Sequence, residues 1–140
     1  MKISARNQLP GTVTALREGA VNAEIDVELV GGATLVAQVT LPSVAQLGLA
    51  VGAPVVALVK SSWVVLGVGE SEPRISTRNR LRATVTAIVP GSVNSEVGLR
   101  LAGGELMVAT VTNESVSGLG LAEGCTAWAL FKASSVILAV

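Results

Sequence analysis

The sequence predicts an all-β protein built as two tandem small barrels, each with five strands and one short helix. Three observations carry this prediction. The chain repeats itself once, each copy divides into short β-rich segments separated by glycine turns, and each copy has a single stretch with helix-capping signals. Half of the 140 residues are hydrophobic and 14% are charged, a composition that excludes a disordered chain.

The two halves align without a gap when the sequence is shifted by 72 positions. Residues 3–68 then fall on residues 75–140, and 34 of the 66 aligned pairs are identical. Between the copies, residues 69–73 read Gly-Glu-Ser-Glu-Pro, which is typical of a linker. The sequence therefore predicts a first domain over 1–68, a linker over 69–73 and a second domain over 74–140.

The first copy shows how the strands are predicted. Gly11–Leu16 is rich in Thr, Val and Ala, which favour β-structure. In Val21–Leu29 apolar residues alternate with polar ones, as expected for a half-buried strand. Gly31 and Gly32 then mark a hairpin turn, and Leu35–Thr40 returns as the next strand.

A short helix is predicted directly after the third strand. Thr40 is a suitable N-cap, Pro42 suits the first turn, and Gly48 ends the helix. Two more strands follow over Val55–Val59 and Trp63–Val68, joined by a short polar segment. Five strands and one helix in about 66 residues predict a barrel of the oligonucleotide/oligosaccharide-binding (OB) type.

The composition excludes several classes of function. The chain has no His, one Asp (Asp26) and one Cys (Cys125), so most acid/base enzymes, His/Cys metal sites and intrachain disulfides are excluded. We expect no catalysis and no cofactor. Three aromatic residues and a formal net charge of zero also argue against a nucleic-acid-binding protein.

The N-terminus has no apolar segment typical of a leader, and the longest apolar stretch is interrupted by Gly48, Gly52 and Pro54. We therefore expect a cytoplasmic protein with no membrane partner. A domain of about 66 residues is marginally stable alone. The apolar excess of this chain also exceeds what two such cores absorb, so we expect a homo-oligomer.

Comparison of the two copies indicates which polar residues matter, because some side chains recur at the same aligned positions. Of the acidic residues only Glu24 and Glu96 match. The recurring basic, hydroxyl and amide pairs include Lys2/Arg74, Arg6/Arg78, Lys60/Lys132, Ser4/Ser76, Thr40/Thr112, Ser43/Ser115, Ser62/Ser134, Asn7/Asn79 and Asn22/Asn94. Most of them are hydrogen-bond donors, and a set of this kind suits a small oxyanion.

Each of these residues also has a purely structural interpretation. Thr40 and Ser43 are good helix-capping residues, and exposed Arg and Lys side chains are usually solvated surface charges. Glu24 fits the solvent-facing side of a strand. The segment Gly19–Asn22 fits a hairpin turn with Asn in a left-handed conformation. Only the joint recurrence of these residues favours an oxyanion site.

At these residues the sequence resembles the Mop family of molybdate-binding proteins, the molbindins, in their two-domain form. The resemblance covers nearly the whole chain apart from the linker. Its marks are Ile3-Ser4-Ala5-Arg6-Asn7, Gly19-Ala20-Val21-Asn22-Ala23-Glu24, Gly31-Gly32, Val39-Thr40-Leu41-Pro42-Ser43 and Val59-Lys60-Ser61-Ser62.

The resemblance implies a protein that binds molybdate or tungstate between domains of a homotrimer with six domains. One class of site takes Ser, Arg, Lys and Ser from one domain and Thr-x-x-Ser hydroxyls from another. With their neighbours, the candidate oxyanion residues are Ser4, Arg6, Asn7, Thr40, Ser43, Lys60, Ser61, Ser62, Ser76, Arg78, Asn79, Thr112, Ser115, Lys132, Ala133 and Ser134. A second class of site, on the three-fold axis, is assigned to Gly19, Ala20, Val21, Asn22, Gly91, Ser92, Val93 and Asn94.

The leading hypothesis is thus binding and storage of molybdate or tungstate, without catalysis. The alternative is an OB-type structural or protein-interaction module whose anion site is vestigial. The copies differ where Ser61 falls on Ala133, so sites of unequal affinity are expected.

Overall fold

The computed structural model describes all 140 residues and contains ten strands and two α-helices. The first repeat forms β1 (Asn7–Glu18), β2 (Asn22–Leu29), β3 (Thr34–Thr40), α1 (Leu41–Leu47), β4 (Pro54–Val59) and β5 (Val65–Gly67). The second repeat forms β6 (Asn79–Pro90), β7 (Asn94–Leu101), β8 (Leu106–Thr112), α2 (Asn113–Leu119), β9 (Thr126–Phe131) and β10 (Ile137–Ala139). The all-β prediction with five strands and one short helix per repeat is confirmed. No helix has the length and apolar character needed to cross a membrane.

The last strand of each repeat joins the sheet of the other repeat. The ten strands form two five-stranded sheets, with the orders β10-β4-β1-β2-β3 and β5-β9-β6-β7-β8. β10 pairs antiparallel with β4, and β5 pairs antiparallel with β9. Each sheet therefore takes four strands from one repeat and one from the other. The predicted division at 69–73 separates the sequence repeats, but the sheets cross it.

Two strands of the first repeat differ from their predicted bounds by more than one residue, and the other three each differ by one. β1 begins at Asn7 rather than Gly11, because it pairs with β4 from Asn7 opposite Val59 onward. The last strand of the first repeat begins at Val65, since Ser61–Trp63 forms a single 3-10 turn. The second repeat has the matching 3-10 turn at Ala133–Ser135.

The buried core is continuous across both repeats. One cluster of 28 buried residues contains inward-facing side chains of both sheets, such as Ile25 and Val97. It also includes Leu66 from β5 and Leu138 from β10, the two exchanged strands. Exchange of these strands thus ties the two sheets into one folding unit.

Both helices are short and are capped as the sequence predicts. Thr40 caps α1 in an extended conformation, Pro42 lies in its first turn, and Gly48 ends it at φ 61°. Glycine suits this left-handed position because it has no Cβ. Thr112 and Gly120 cap α2 in the same way.

Candidate functional site

The hydroxyls of each Thr-x-x-Ser segment lie together at the start of a helix. Thr40 Oγ1 accepts the Ser43 N–H at 3.3 Å, and the two hydroxyl oxygens are 2.9 Å apart. For Thr112 and Ser115 the corresponding distances are 3.0 and 2.8 Å. The capping interpretation is therefore correct for both threonines, and each cap leaves a hydroxyl pair exposed at the surface.

Each hydroxyl pair lines an open groove that the opposite repeat completes. Thr40 and Ser43 share a groove of about 390 Å³ with Asn22, Gln38 and Ser134. The groove of Thr112 and Ser115 is about 370 Å³ and is lined by the matching residues Asn94, Thr110 and Ser62. The predicted Ser62 and Ser134 thus face the Thr-x-x-Ser segment of the other repeat rather than that of their own.

Two basic residues of the second repeat, Arg78 and Lys132, line one pocket. Ser76, Arg78, Lys132, Ala133 and Ser134 line a cavity of about 370 Å³. Gln38 and Ser134 line both this pocket and the groove of the Thr40–Ser43 hydroxyl pair, so the two spaces adjoin. The structure therefore places a Ser/Arg/Lys set of one repeat beside the Thr-x-x-Ser segment of the other.

In the first repeat only part of the matching set lines a pocket, which is smaller and less polar and which Arg6 and Ser61 do not line. Ser4 and Lys60 line a cavity of about 190 Å³ together with Trp63. The Lys60 ammonium lies 6.0 Å from the centre of the Trp63 ring, a cation–π distance. The second repeat has Ser135 in place of Trp63, so Lys132 has no such ring beside it.

Both candidate arginines form ion pairs with a glutamate of the opposite repeat. Arg6 Nη1 lies 2.7 Å from Glu96 Oε1, and Arg78 Nη1 lies 2.7 Å from Glu24 Oε1. The hydrogen bond that Arg6 donates to Glu96 raises the pKa of Arg6 above its ordinary value. All four side chains are between about a third and a half exposed, so these pairs contribute little to stability.

Glu24 belongs to a larger charge network on β1 and β2. Arg17 donates to Asp26 at 2.7 and 3.1 Å and to Glu24 at 3.5 Å. The hydrogen bonds from Arg17 hold the pKa of Asp26 below its ordinary value. The second repeat has Val89 and Gly98 where the first has Arg17 and Asp26, so Glu96 lacks this support.

Asn7 and Asn79 are occupied by backbone groups of the opposite repeat. The buried Asn7 amide donates to Val108 O at 2.9 Å and accepts the Val108 N–H at 2.7 Å. Asn79 makes the same pair of bonds with Val36, both at 2.8 Å. Val36 and Val108 lie on β3 and β8, the outer strands of the two sheets. The structure thus gives both amides a role in joining the sheets.

The pair Ser61 and Ala133 marks a real difference between the repeats. The Ser61 hydroxyl lies 2.8 Å from the Thr110 hydroxyl of the opposite repeat. At the matching place Ala133 is buried, and Gln38 stands where the other groove has Thr110. The two grooves therefore differ chemically, with Thr110 in one and Gln38 in the other.

The turns assigned to the three-fold axis have the same backbone geometry. Gly19 N–H donates to Asn22 O, and Gly91 N–H donates to Asn94 O, both at 2.8 Å. No residue other than glycine has a positive φ, so the expected left-handed Asn22 was wrong. In both turns the valine tips, Val21 and Val93, are about 70% exposed.

The donors brought together here suit binding of an anion. No group of three or more His, Cys, Asp or Glu side chains is placed to hold a metal ion. Arg78, Lys132 and the surrounding hydroxyls supply positive charge and hydrogen-bond donors to one pocket. Sequence reasoning missed Gln38 and Glu24 as pocket residues. The signal for Glu24 was its match with Glu96, the only acidic match between the copies.

Comparison with known proteins identifies the family. Residues 3–66 and 75–138 each match the TOBE domain. The chain therefore belongs to the TOBE-domain family and carries two of these domains in tandem. The resemblance to tandem Mop proteins inferred from the sequence is confirmed.

Two named relatives align with this chain over its whole length. MopA of Rhodobacter capsulatus, a molybdenum-pterin-binding protein, is 46% identical over 140 residues, which are 100% of this chain and 53% of MopA. The molybdenum transport protein ModE of Azotobacter vinelandii is also 46% identical, over 100% of this chain and 52% of ModE. The chain thus spans about half the length of these relatives.

A solved structure of the cytoplasmic molybdate-binding protein ModG, with molybdate bound, is similar to this one throughout. It is 54% identical with a TM-score of 0.96, and the match covers 100% of this chain and 99% of ModG. Its agreement with this structure supports the tandem all-β fold.

Proposed function

We propose that this protein binds molybdate, or the similar tungstate, and stores or buffers it without catalysis. The proposed ligand groups are Ser4, Arg6, Lys60 and Ser61 with Ser62, and Ser76, Arg78 and Lys132 with Ala133 and Ser134. The Thr40–Ser43 and Thr112–Ser115 hydroxyl pairs complete them. Asn7 and Asn79 are left out of the ligand set, because their amides already bond to backbone groups.

The observation that carries this proposal is the pocket of the second repeat. Arg78, Lys132 and Ser76 line one cavity, and the Thr40–Ser43 hydroxyl pair lies in the groove next to it. A 54% identical structure that matches over its full length has molybdate bound.

The chemistry needed is replacement of the hydration shell of the anion by fixed donors. Two positive side chains offset the two negative charges of a tetrahedral oxyanion, and charge-assisted hydrogen bonds contribute about 1.5–3 kcal/mol each. After association and desolvation costs, several such bonds give micromolar binding or better. A rigid set of donors spaced for a larger anion holds sulfate less well.

We further propose a cytoplasmic homotrimer with six domains, in which neighbouring chains complete the sites. The exposed valines at the two turns support this, since Val21 and Val93 leave apolar surface for another chain to cover. Gly19–Asn22 and Gly91–Asn94 stay the proposed axial sites. Light scattering at micromolar concentration tests the assembly. We expect about three times the chain mass of 14.1 kDa, and a monomer would contradict the proposal.

The binding test is isothermal titration of the purified protein with molybdate in the presence of excess sulfate. We expect saturable binding of more than one anion per chain. Arg6→Ala and Arg78→Ala should each remove a subset of sites, and unchanged binding in the double variant would refute the assignment. No binding by an intact oligomer would favour the alternative, a protein-interaction module with a vestigial anion site.

A further inference from the structure

The two arginines proposed to hold the anion are not free in this structure. Arg6 is paired with Glu96 through both carboxylate oxygens, at 2.7 and 3.4 Å, and Arg78 is paired with Glu24 at 2.7 Å. Each pair joins the two repeats. These glutamates are also the one pair of acidic residues that recurs between the copies.

The carboxylate of Glu24 lies in the space that the anion would use. Glu24 lines the same pocket as Ser76, Arg78 and Lys132. A carboxylate and a tetrahedral oxyanion both bind the N–H groups of a guanidinium, and two neighbouring anions repel each other. An entering oxyanion must therefore displace Glu24 from Arg78 or bind to a pocket with less positive charge.

We propose that Glu24 and Glu96 are built-in counter-ions of the oxyanion sites, which hold the site arginines and lower the affinity for the anion. This inference rests on the proposed function of the same sites. It predicts that removing either glutamate strengthens anion binding, whereas removing a ligand residue weakens it.

The two glutamates differ in whether they keep an arginine partner after an anion displaces them. Glu24 keeps Arg17 as a second partner, at 3.5 Å, and Arg17 is itself held by Asp26. Glu96 has no second arginine, because Val89 and Gly98 occupy the matching positions. Displacing Glu24 from Arg78 therefore leaves a paired carboxylate, whereas displacing Glu96 from Arg6 leaves an unpaired one. We expect Glu96 to oppose binding more strongly than Glu24.

The experiment is titration of the full-length protein and its variants with sodium molybdate at low ionic strength. Exposed ion pairs are weak, so Glu96→Gln should raise the affinity of the sites that contain Arg6 by a few-fold at most. Glu24→Gln should give a smaller increase at the sites that contain Arg78. Arg17→Met should weaken binding more in the wild-type background than in the Glu24→Gln background.

The matched control is Glu28→Gln. Glu28 is an exposed acidic residue of the same strand as Glu24 and forms no ion pair, so it reports the effect of removing one negative charge at long range. An equal gain from Glu28→Gln would overturn the inference, as would unchanged or weaker binding in both site variants. If the wild type itself takes up no molybdate, the proposed function fails and this inference fails with it. Uptake by the wild type with no gain in either variant overturns the inference alone.

Discussion

The buried amide of Asn7 offers a sharp test of how the two repeats are joined. Asn7→Ala removes a donor and an acceptor that pair with Val108 N–H and C=O on the outer strand β8. No neighbouring strand replaces them, because β8 is at the edge of its sheet. The variant therefore loses two hydrogen bonds and leaves two part-buried backbone groups without partners.

The magnitude follows from these contacts. Each lost hydrogen bond contributes about 0.5–1.5 kcal/mol net, and a buried group left unpaired costs about 1–3 kcal/mol. Val108 is only partly buried, so water partly replaces the lost partners. We expect the free energy of unfolding to fall by about 2–4 kcal/mol, a large share of the roughly 5–15 kcal/mol of a typical domain.

The assay is urea unfolding at a fixed protein concentration, followed by the fluorescence of the two tryptophans. Asn79→Ala should give a similar loss, because Asn79 makes the same two bonds with Val36. Gln8→Ala is the control, since this neighbouring amide is exposed. A loss below about 0.5 kcal/mol for Asn7→Ala, the range of ordinary surface substitutions, would refute the reasoning.

Two further predictions concern the charge network of Arg17 and Asp26 and the close approach of Gly31, in the β2–β3 turn, to Gly103, in the β7–β8 turn. Because Arg17 lowers the pKa of Asp26, their pair stabilises the fold above the ordinary carboxyl pKa and loses this contribution as the pH falls through the lowered value. In Asp26→Asn the free energy of unfolding should therefore fall less steeply as the pH is lowered through this range than in the wild type, and identical acid-unfolding curves would contradict this. A Cβ at Gly31 would lie 2.6 Å from Gly103 Cα, so Gly31→Ala should lower the free energy of unfolding by about 1–3 kcal/mol in urea. Gly118→Ala, in a helix with open space around it, should be neutral or stabilising, and equal losses in both would contradict the account.

Local signals in the sequence predict most of the fold. The alternation of Val21–Leu29 predicts β2, and the Thr40 and Gly48 caps predict the bounds of α1, because these features depend on nearby residues alone. The exchange of the last strands was not predictable in this way. Val65–Gly67 and Ile137–Ala139 are alike in sequence, so each suits either sheet equally well.

The candidate site was also predictable only in part. Recurrence between the copies predicts Ser76, Arg78 and Lys132, which line one pocket. It does not distinguish a ligand from a structural residue, because both recur in a repeated fold. Asn7 bonds to Val108, and Glu24 pairs with Arg78. Both contacts join positions far apart in the sequence, so local patterns do not reveal them.

The central claim is that the recurring donors bind molybdate selectively, and equilibrium dialysis against labelled molybdate with a large excess of sulfate tests it most directly. The account predicts saturable uptake that survives the sulfate, at more than one anion per chain, with part of it lost in Arg78→Ala. No uptake, or uptake that sulfate abolishes, by a protein whose assembly is intact would contradict the account.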